Sequence, residues 1–360
     1  MLRRLMLIAA VPILLLGLSA GAQAKYRGFA EEMFFGRHTG AAGAATGRTG
    51  VTSSGEIIDT FYNPAGLADA KGVGFCLSWS NPYYLLEDAE YRFWGANVQI
   101  GNYGTVGLSK YKLDYGPVRW TSAHGRDTLS GSSDVAILVA TLAGEPVKDL
   151  LVGVNISTFQ YNVATERGRS MDDGGAYWAD AGVLKYFALG RTRASGHWLR
   201  LGGSLSNLTY SSADVLGTTE DLPVALRLGA AYEMGWWGLT WKQGLRTVET
   251  ILQVEYQDIL NYDHQTALRL GGEVRLVEIL ALRLGYYRET LDDYGDPANN
   301  DNLENTTYGF GIHLPLHKIT DGKLPLKVGL DYANMKQPEY SRDRDTDNFK
   351  TFTACAAYYF

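Results

Sequence analysis

Beyond its first two dozen residues, the sequence lacks any apolar run long enough for a transmembrane helix. It also lacks an excess of basic residues, and its formal net charge is −6. Nucleic acid as a partner is therefore excluded, because binding it requires a basic face. The six histidines are scattered and form no arrangement typical of nucleophilic catalysis. We expect neither an enzyme nor a cofactor.

Two groups of residues have spacings similar to those of metal sites, but each lacks another feature that such a site requires. His313 and His317 are four residues apart, but on a segment that reads as a strand running into a turn, not as a helix. Asp343, Asp345 and Asp347 alternate as at the start of a calcium loop, without its glycine and closing glutamate. A solvated loop is the simpler interpretation, and we expect no metal.

The first residues, "MLRRLMLIAAVPILLLGLSAGAQAKYRG", have the pattern of a signal peptide. Arg3 and Arg4 form the positive region, residues 5–18 the apolar region, and 22–24 an A-x-A cleavage site. The alternative is an uncleaved membrane anchor, which would carry basic residues after the apolar run. We predict a cleaved signal peptide over residues 1–24 and an exported chain.

The remaining chain is rich in segments that alternate between apolar and polar residues, separated by turn residues. An even number of such segments is expected of a closed antiparallel barrel that spans the outer membrane. Fourteen are found, near 72–79, 91–100, 104–113, 133–143, 150–163, 174–188, 197–209, 222–234, 248–259, 266–277, 279–289, 307–316, 324–335 and 349–360. The sequence predicts an all-β fold, a 14-stranded antiparallel transmembrane β-barrel.

The charged residues within these segments lie opposite the apolar ones. In 266–277, Leu268 and Leu270 share one face and Arg269 lies on the other. In 222–234, the apolar face is expected to carry Leu222, Val224, Leu226 and Leu228. An exposed Arg or Lys at the bilayer midplane costs about 2–4 kcal/mol, so the charges should face the lumen. The predicted lumen charges are Asp180, Arg227, Glu255, Arg269, Glu273, Arg275, Arg283, Lys327 and Asp331.

A soluble sandwich would show the same alternation, with its charges facing solvent. The end of the chain favours the barrel, because "FKTFTACAAYYF" is an alternating strand that stops on an aromatic residue. Tyr358 and Phe360 on this strand are the predicted assembly signal. The expected partners are therefore outer-membrane lipid and the barrel-assembly machinery.

The sequence contains only two cysteines, Cys76 in the first predicted strand and Cys355 in the last. Closure of the barrel makes these strands neighbours, and the alternation places both cysteines on the lumen face. The oxidising compartment permits a disulfide across the seam. A shift of register by two residues would separate the thiols, so two small buried thiols that never meet remain the alternative.

The stretch "FFGRHTGAAGAATGRTGVTSSGEIIDTFYNPAGLADAKGVGF" contains the motif Asn63-Pro64-Ala65-Gly66-Leu67. It resembles the N-terminal segment of the FadL-type long-chain fatty-acid transporter superfamily, and more closely its PorV/PorQ-like branch. The resemblance implies that residues 25–71 fold inside the lumen as a hatch and that 72–360 form the barrel. Pro64 fixes its own φ, and the Asn63 side chain can hydrogen-bond lumen groups. A plain entry loop before the first strand is the alternative.

Two functions follow from this resemblance. The first is a PorV/PorQ-like role in transport at the outer membrane, with the barrel attached to a secretion machine or holding a secreted cargo protein. The alternative is a FadL-like channel for hydrophobic small molecules such as long-chain fatty acids. The channel predicts an apolar lumen pocket beside the hatch, whereas the secretion role predicts an occluded lumen.

Overall fold

The computed structural model describes residues 40–80, 90–121, 127–165, 170–192, 194–215, 218–237, 245–261, 266–290, 302–335 and 348–360. The predicted signal peptide, the first part of the predicted hatch and the loop with Asp343, Asp345 and Asp347 lie outside the described residues. No helix within these ranges has the length and apolar character needed to cross a bilayer.

Fourteen antiparallel strands close into a barrel, which confirms the predicted fold class. The first strand pairs with the last, and two short strands form a separate hairpin. In chain order the strands are β1 (Val73–Ser80), β2 (Glu90–Ile100), β3 (Gly104–Thr121), β4 (Asp127–Val147), β5 (Leu150–Thr165), β6 (Ser170–Arg191), β7 (Ser195–Leu205), the hairpin strands β8 (Ser212–Val215) and β9 (Thr218–Asp221), β10 (Ala225–Trp236), β11 (Val248–Ile259), β12 (Thr266–Leu276), β13 (Leu280–Thr290), β14 (Asn302–Pro315), β15 (Leu326–Met335) and β16 (Phe349–Tyr358).

We call the end where β1 begins and β16 ends the proximal end, and the opposite end the distal end. Strands β3 to β6 contain 16 to 22 residues and are longer than the alternation predicted. A transmembrane strand needs only about 9–11 residues. These four strands therefore extend beyond the bilayer at the distal end.

One predicted strand begins later than expected. The strand β10 starts at Ala225, so Leu222 and Val224 precede it and do not lie on the lipid face. Both are buried, and the Leu222 carbonyl accepts hydrogen bonds from the side chains of Asn207 and Asn261. The chain folds inward here because these amides satisfy a backbone carbonyl that no strand partner reaches.

The outward face of the barrel is an apolar band. It includes Leu268, Leu270 and Leu282, each exposed by nearly half its surface. Aromatic rings form a row across four neighbouring strands: Trp79 stacks on Phe352 at 5.5 Å, Phe352 contacts Tyr332 at 5.0 Å, and Tyr332 contacts Phe310 at 5.5 Å. Apolar bands with aromatic girdles are the surface of transmembrane barrels, and this surface points to the outer membrane. Tyr358 and Phe360 are also exposed.

Residues 40–71, here called the inner segment, precede β1. They form the short helix α1 (Ala41–Ala45) and two 3-10 helices, Ile57–Phe61 and Pro64–Asp69. A second short helix, α2 (Leu316–Ile319), lies in the proximal turn between β14 and β15. Most of the inner segment is buried, and it makes side-chain hydrogen bonds to strands on opposite sides of the barrel. It therefore lies across the lumen.

Candidate functional site: the barrel interior

Glycines on the inward face of the wall make room for the inner segment. They occur as direct cross-strand partners: Gly153 with Gly182, Gly202 with Gly229, and Gly271 with Gly285. A Cβ atom added to any of the six would come within 3.0 Å of atoms of the inner segment. Absence of a side chain lets one backbone approach another closely. We call these six residues the glycine belt.

The motif at 63–67 joins two parts of the inner segment to the wall. Asn63 is fully buried, and its Oδ1 accepts the N–H of Ala65 at 3.0 Å as the N-cap of the second 3-10 helix. Its Nδ2 donates to the carbonyls of Val51 (2.8 Å) and Val183 (3.0 Å). Pro64 occupies the first helical position, which requires no N–H. The remaining motif residues, Ala65, Gly66 and Leu67, are buried.

Glu255 binds the backbone of the inner segment. Its Oε2 accepts the N–H groups of Gly50 at 2.7 Å and Val51 at 2.9 Å, and its Oε1 pairs with Arg269 at 3.2 Å. The sequence placed Glu255 in the lumen but gave no sign of these backbone contacts, because the partners are about 200 residues apart.

All nine predicted lumen charges lie in the interior, and most of them are paired. Arg269 binds Glu255 and Glu289, Arg275 binds Glu273 and Glu249, and Arg283 binds Glu273 and Asp331. Lys327 binds Glu56 of the inner segment at 3.1 Å. Asp180 accepts the N–H of Asn207 at 2.9 Å, and Arg227 donates to Gln257 at 2.9 Å. We call the inward-facing charged residues of β10 to β15 the charged wall.

Several members of these networks were missed by the sequence reasoning. Arg246 bridges Glu233 and Glu249, and Arg200 also binds Glu233. Glu233 lies at even spacing from Arg227, and Glu249 at even spacing from Glu255, so the alternation that located the others would also have located these two. Arg246 lies outside the strands, where no alternation exists.

The two histidines noted for their spacing do not come together. His313 hydrogen-bonds Asp331 at 3.0 Å, inside the charged wall. His317 lies in α2, where its ring packs on that of Tyr359 at 4.2 Å. The two histidines therefore lie in different parts of the molecule, one inside the barrel and the other in a proximal turn.

The inward face of β2 to β5, toward the distal end, is apolar. Two rows of side chains lie on it, and within each row the residues are direct cross-strand partners. The rows are Tyr91, Leu113, Val135 and Tyr161, and Phe93, Tyr111, Ile137 and Phe159, all buried. We call this region the apolar chamber. The sequence reasoning missed it because β4 is apolar on both faces, as with Ile137 beside Leu138, and because Lys110 and Lys112 alternate with Tyr111 on β3, so that a rule sending charge inward would have placed Tyr111 outward.

The inner segment bounds the apolar chamber. Phe61 lies 6.1 Å from Tyr111, ring centre to ring centre. A cavity of about 20 Å³ lies at this junction, and its lining includes the rings of Tyr111 and Trp178 as well as the polar side chains of Asn155 and Arg227. Apolar and hydrogen-bonding groups therefore meet at a single place beside the inner segment.

A larger cavity, of about 180 Å³, lies on the other side of the inner segment, against the charged wall. It is lined by Glu56, Asp59, Arg275, Lys327 and Asp331 among others. Burial, together with the neighbouring Glu56, raises the pKa of Asp59 to about 7. Burial would raise the pKa of Glu56 as well, but the charge of Lys327 holds it below its ordinary value.

Cys76 and Cys355 form a disulfide. They are directly opposite in the pairing of β1 with β16, and their Cα atoms are 4.2 Å apart. The bond closes a separation of 279 residues. It lies at the seam where the chain's first and last strands meet.

Known proteins share the fold at low sequence identity. The deltaS2S3 mutant of the monoaromatic hydrocarbon channel TodX aligns with a TM-score of 0.52 and 12% identity over 89% of this chain and 98% of that one. The Pseudomonas putida toluene transporter TodX aligns at 0.47 and 12% over 89% and 97%. A Pseudomonas aeruginosa FadL homologue aligns at 0.43 and 10% over 89% and 98%. No protein-family model matches the sequence, and no curated protein matches it.

Proposed function

We propose that this chain passes hydrophobic small molecules across the outer membrane, with the inner segment as its hatch. The observation that carries the proposal is the apolar chamber, whose buried aromatic and aliphatic rows end at Phe61 of the inner segment. An apolar surface inside a transmembrane barrel is suited to apolar solutes, because it offers water few hydrogen bonds. The fold likeness to a monoaromatic hydrocarbon channel agrees with this role.

The same proposal accounts for the rest of the interior. The inner segment separates the chamber from the charged wall. In this state it closes the route through the lumen, so small polar solutes do not cross the membrane through the barrel. Outer-membrane lipid surrounds the apolar band, and the barrel-assembly machinery inserts the chain. Loading from the distal side places a hydrophobic molecule directly on the residues that bound the hatch.

The test is uptake of radiolabelled toluene and of radiolabelled oleate into cells that express the full chain. We expect uptake above that of cells without the chain. Ile137→Asn, which puts an amide into the chamber, should reduce uptake severalfold, and Leu138→Asn on the lipid face should not. Heat-modifiable migration on a gel shows that each variant is folded. Uptake equal in all three chains would refute the proposal.

A second function, the PorV/PorQ-like role in protein secretion, is favoured by a different observation. The inner segment contacts the wall on several sides, and three cavities beside it among the described residues have volumes of about 20, 120 and 180 Å³, so the lumen is largely filled. Deletion of the chain would then remove particular proteins from the cell surface. That loss, together with unchanged uptake of both compounds, would select the secretion role.

A further inference from the structure

The apolar band of the outer surface ends along a definite line on β1 to β3. On β2 the outward residue Trp94 is followed, toward the distal end, by Arg92, and on β3 Leu108 is followed by Lys110. Trp79 on β1 is the direct cross-strand partner of Arg92, and Trp94 is that of Lys110. The three apolar residues here are exposed. This line is therefore where the surface of the barrel passes from lipid acyl chains to lipid headgroups.

Four basic side chains of the described residues face outward along this line. They are Lys350 on β16, Arg92 on β2, and Lys110 and Lys112 on β3, and we call them the basic arc. Lys350 is two residues from Phe352, so both lie on the same face of β16. The ring of Phe352 stacks on that of Trp79 at 5.5 Å. The basic arc therefore borders the aromatic rings at the seam of the barrel, on their distal side.

Two members of the basic arc are neutralised by carboxylates of the same strands and their neighbours. Arg92 pairs with Glu90 at 2.6 Å. Lys112 pairs with Asp114 at 3.2 Å and with Asp134 at 3.9 Å. Because these charges already have opposite charges beside them, they offer hydrogen bonds to a ligand but add little net attraction.

The other two members, Lys110 and Lys350, have no such partner. Within the part of the chain that the structure describes, no carboxylate forms an ion pair with either lysine. Lys110 is paired across the strands with Trp94 and Leu138, both apolar and exposed. A lysine in this position can lay its apolar stem on the band and hold its ammonium group at headgroup level. The membrane is then the source of the missing negative charge.

We propose that the basic arc binds the phosphate group of an anionic lipid, whose acyl chains lie along the apolar band. Phosphate and acyl chains are joined covalently in such a lipid, so chains that contact Leu108 and Leu138 bring the phosphate to the level of Lys110. Ammonium and guanidinium groups donate charge-assisted hydrogen bonds to phosphate oxygens. The site lies on the outer surface, so this inference does not depend on what crosses the lumen.

Native mass spectrometry of the full chain, released from detergent micelles, tests the proposal. Dioleoyl phosphatidic acid has a bare phosphate as its headgroup, whereas choline neutralises the phosphate of dioleoyl phosphatidylcholine. The first lipid should bind about tenfold more tightly than the second. Lys110→Gln and Lys350→Gln should each weaken binding of phosphatidic acid roughly fivefold, the effect of one basic residue beside an anionic lipid, and the double variant roughly twentyfold.

Arg288→Gln combined with Lys323→Gln is the matched control. It also removes two exposed positive charges, but from β13 and from the proximal turn before β15, outside the basic arc. This control should bind phosphatidic acid as tightly as the wild type does. Heat-modifiable migration on a gel shows that each variant is folded.

The proposal is overturned if the double variant of Lys110 and Lys350 binds phosphatidic acid as tightly as the wild type, or if the matched control loses as much affinity. Equal binding of phosphatidic acid and phosphatidylcholine would indicate general adsorption of lipid and would also overturn it. A large excess of inorganic phosphate should not displace the lipid. Displacement would mean that the basic arc binds free phosphate and is not a lipid site.

Discussion

The apolar chamber and the charged wall occupy the same lumen but are held together in different ways. Chamber side chains such as Phe159 and Ile137 contact one another without directional bonds, so an apolar guest can take the place of such contacts. In the charged wall most buried ions are paired with a particular partner, as Arg283 is with Glu273 and Asp331. Separating those ions leaves charges unpaired in a poorly hydrated place. The two halves of the interior are therefore stabilised by different forces, apolar burial in the chamber and ion pairing in the wall.

The largest loss of stability is expected from a substitution at Arg283 in the charged wall. Arg283→Met should lower the free energy of unfolding by about 3–5 kcal/mol, because it leaves Glu273 and Asp331 without their shared partner. Urea titration in lipid vesicles, read by heat-modifiable migration, measures the loss. Arg288→Met is the matched control on the same strand, where the arginine is exposed. Equal losses in the two variants would mean that the ion pairs do not stabilise the wall.

Substitution of a chamber residue should lower the free energy of unfolding somewhat less, and the loss should depend differently on salt. Phe159→Ala removes a buried ring and should lower stability by about 3 kcal/mol, through lost burial and a new cavity. Because no charge is involved, the loss should not change between low and high salt, unlike that of Arg283→Met. Ile156→Ala, on the lipid face of the same strand, is the control. A salt-dependent loss at Phe159 would contradict the division of the lumen.

The seam disulfide joins the two regions, since β1 leads to the chamber strands and β16 to the charged wall. Replacing both Cys76 and Cys355 by serine should lower the free energy of unfolding by about 2–4 kcal/mol. Thiol labelling of the denatured, non-reduced wild type should detect no free thiol. Two labelled thiols per chain would show that the bond does not form.

The smallest effect is expected from pH at the boundary between the regions. The pKa of Asp59 is raised to about 7, so the folded protein binds a proton that the unfolded chain releases near its ordinary pKa. The contribution of Asp59 to stability is fully present below the pKa of this group in the unfolded chain, and it is lost as the pH rises through about 7. Protease protection of the inner segment should therefore be greater at pH 5 than at pH 8.

Asp59→Asn should flatten this dependence, since an amide keeps the neutral form at every pH. Glu56, Lys327 and Arg275 face the carboxyl and remain in the variant. An unchanged pH dependence would assign the effect to one of these neighbours instead.

The sequence predicted what depends on alternation and missed what depends on distant contact. The strands, their number and the inward direction of Arg269 and Arg283 follow from the cost of charge in lipid. The apolar chamber did not follow, because Ile137 and Leu138 are both apolar and give no contrast between faces. The hydrogen bonds of Glu255 to Gly50 and of Arg227 to Phe61 join residues far apart in the chain. Only the folded barrel brings them together.

The glycine belt also gives the seam of the barrel a second role. The inner segment precedes β1 in the chain, yet it lies against strands from β5 to β13. Pairing of β1 with β16 therefore completes a wall that surrounds the inner segment. The disulfide at that seam makes the enclosure covalent, so the wall cannot open there while the bond is intact.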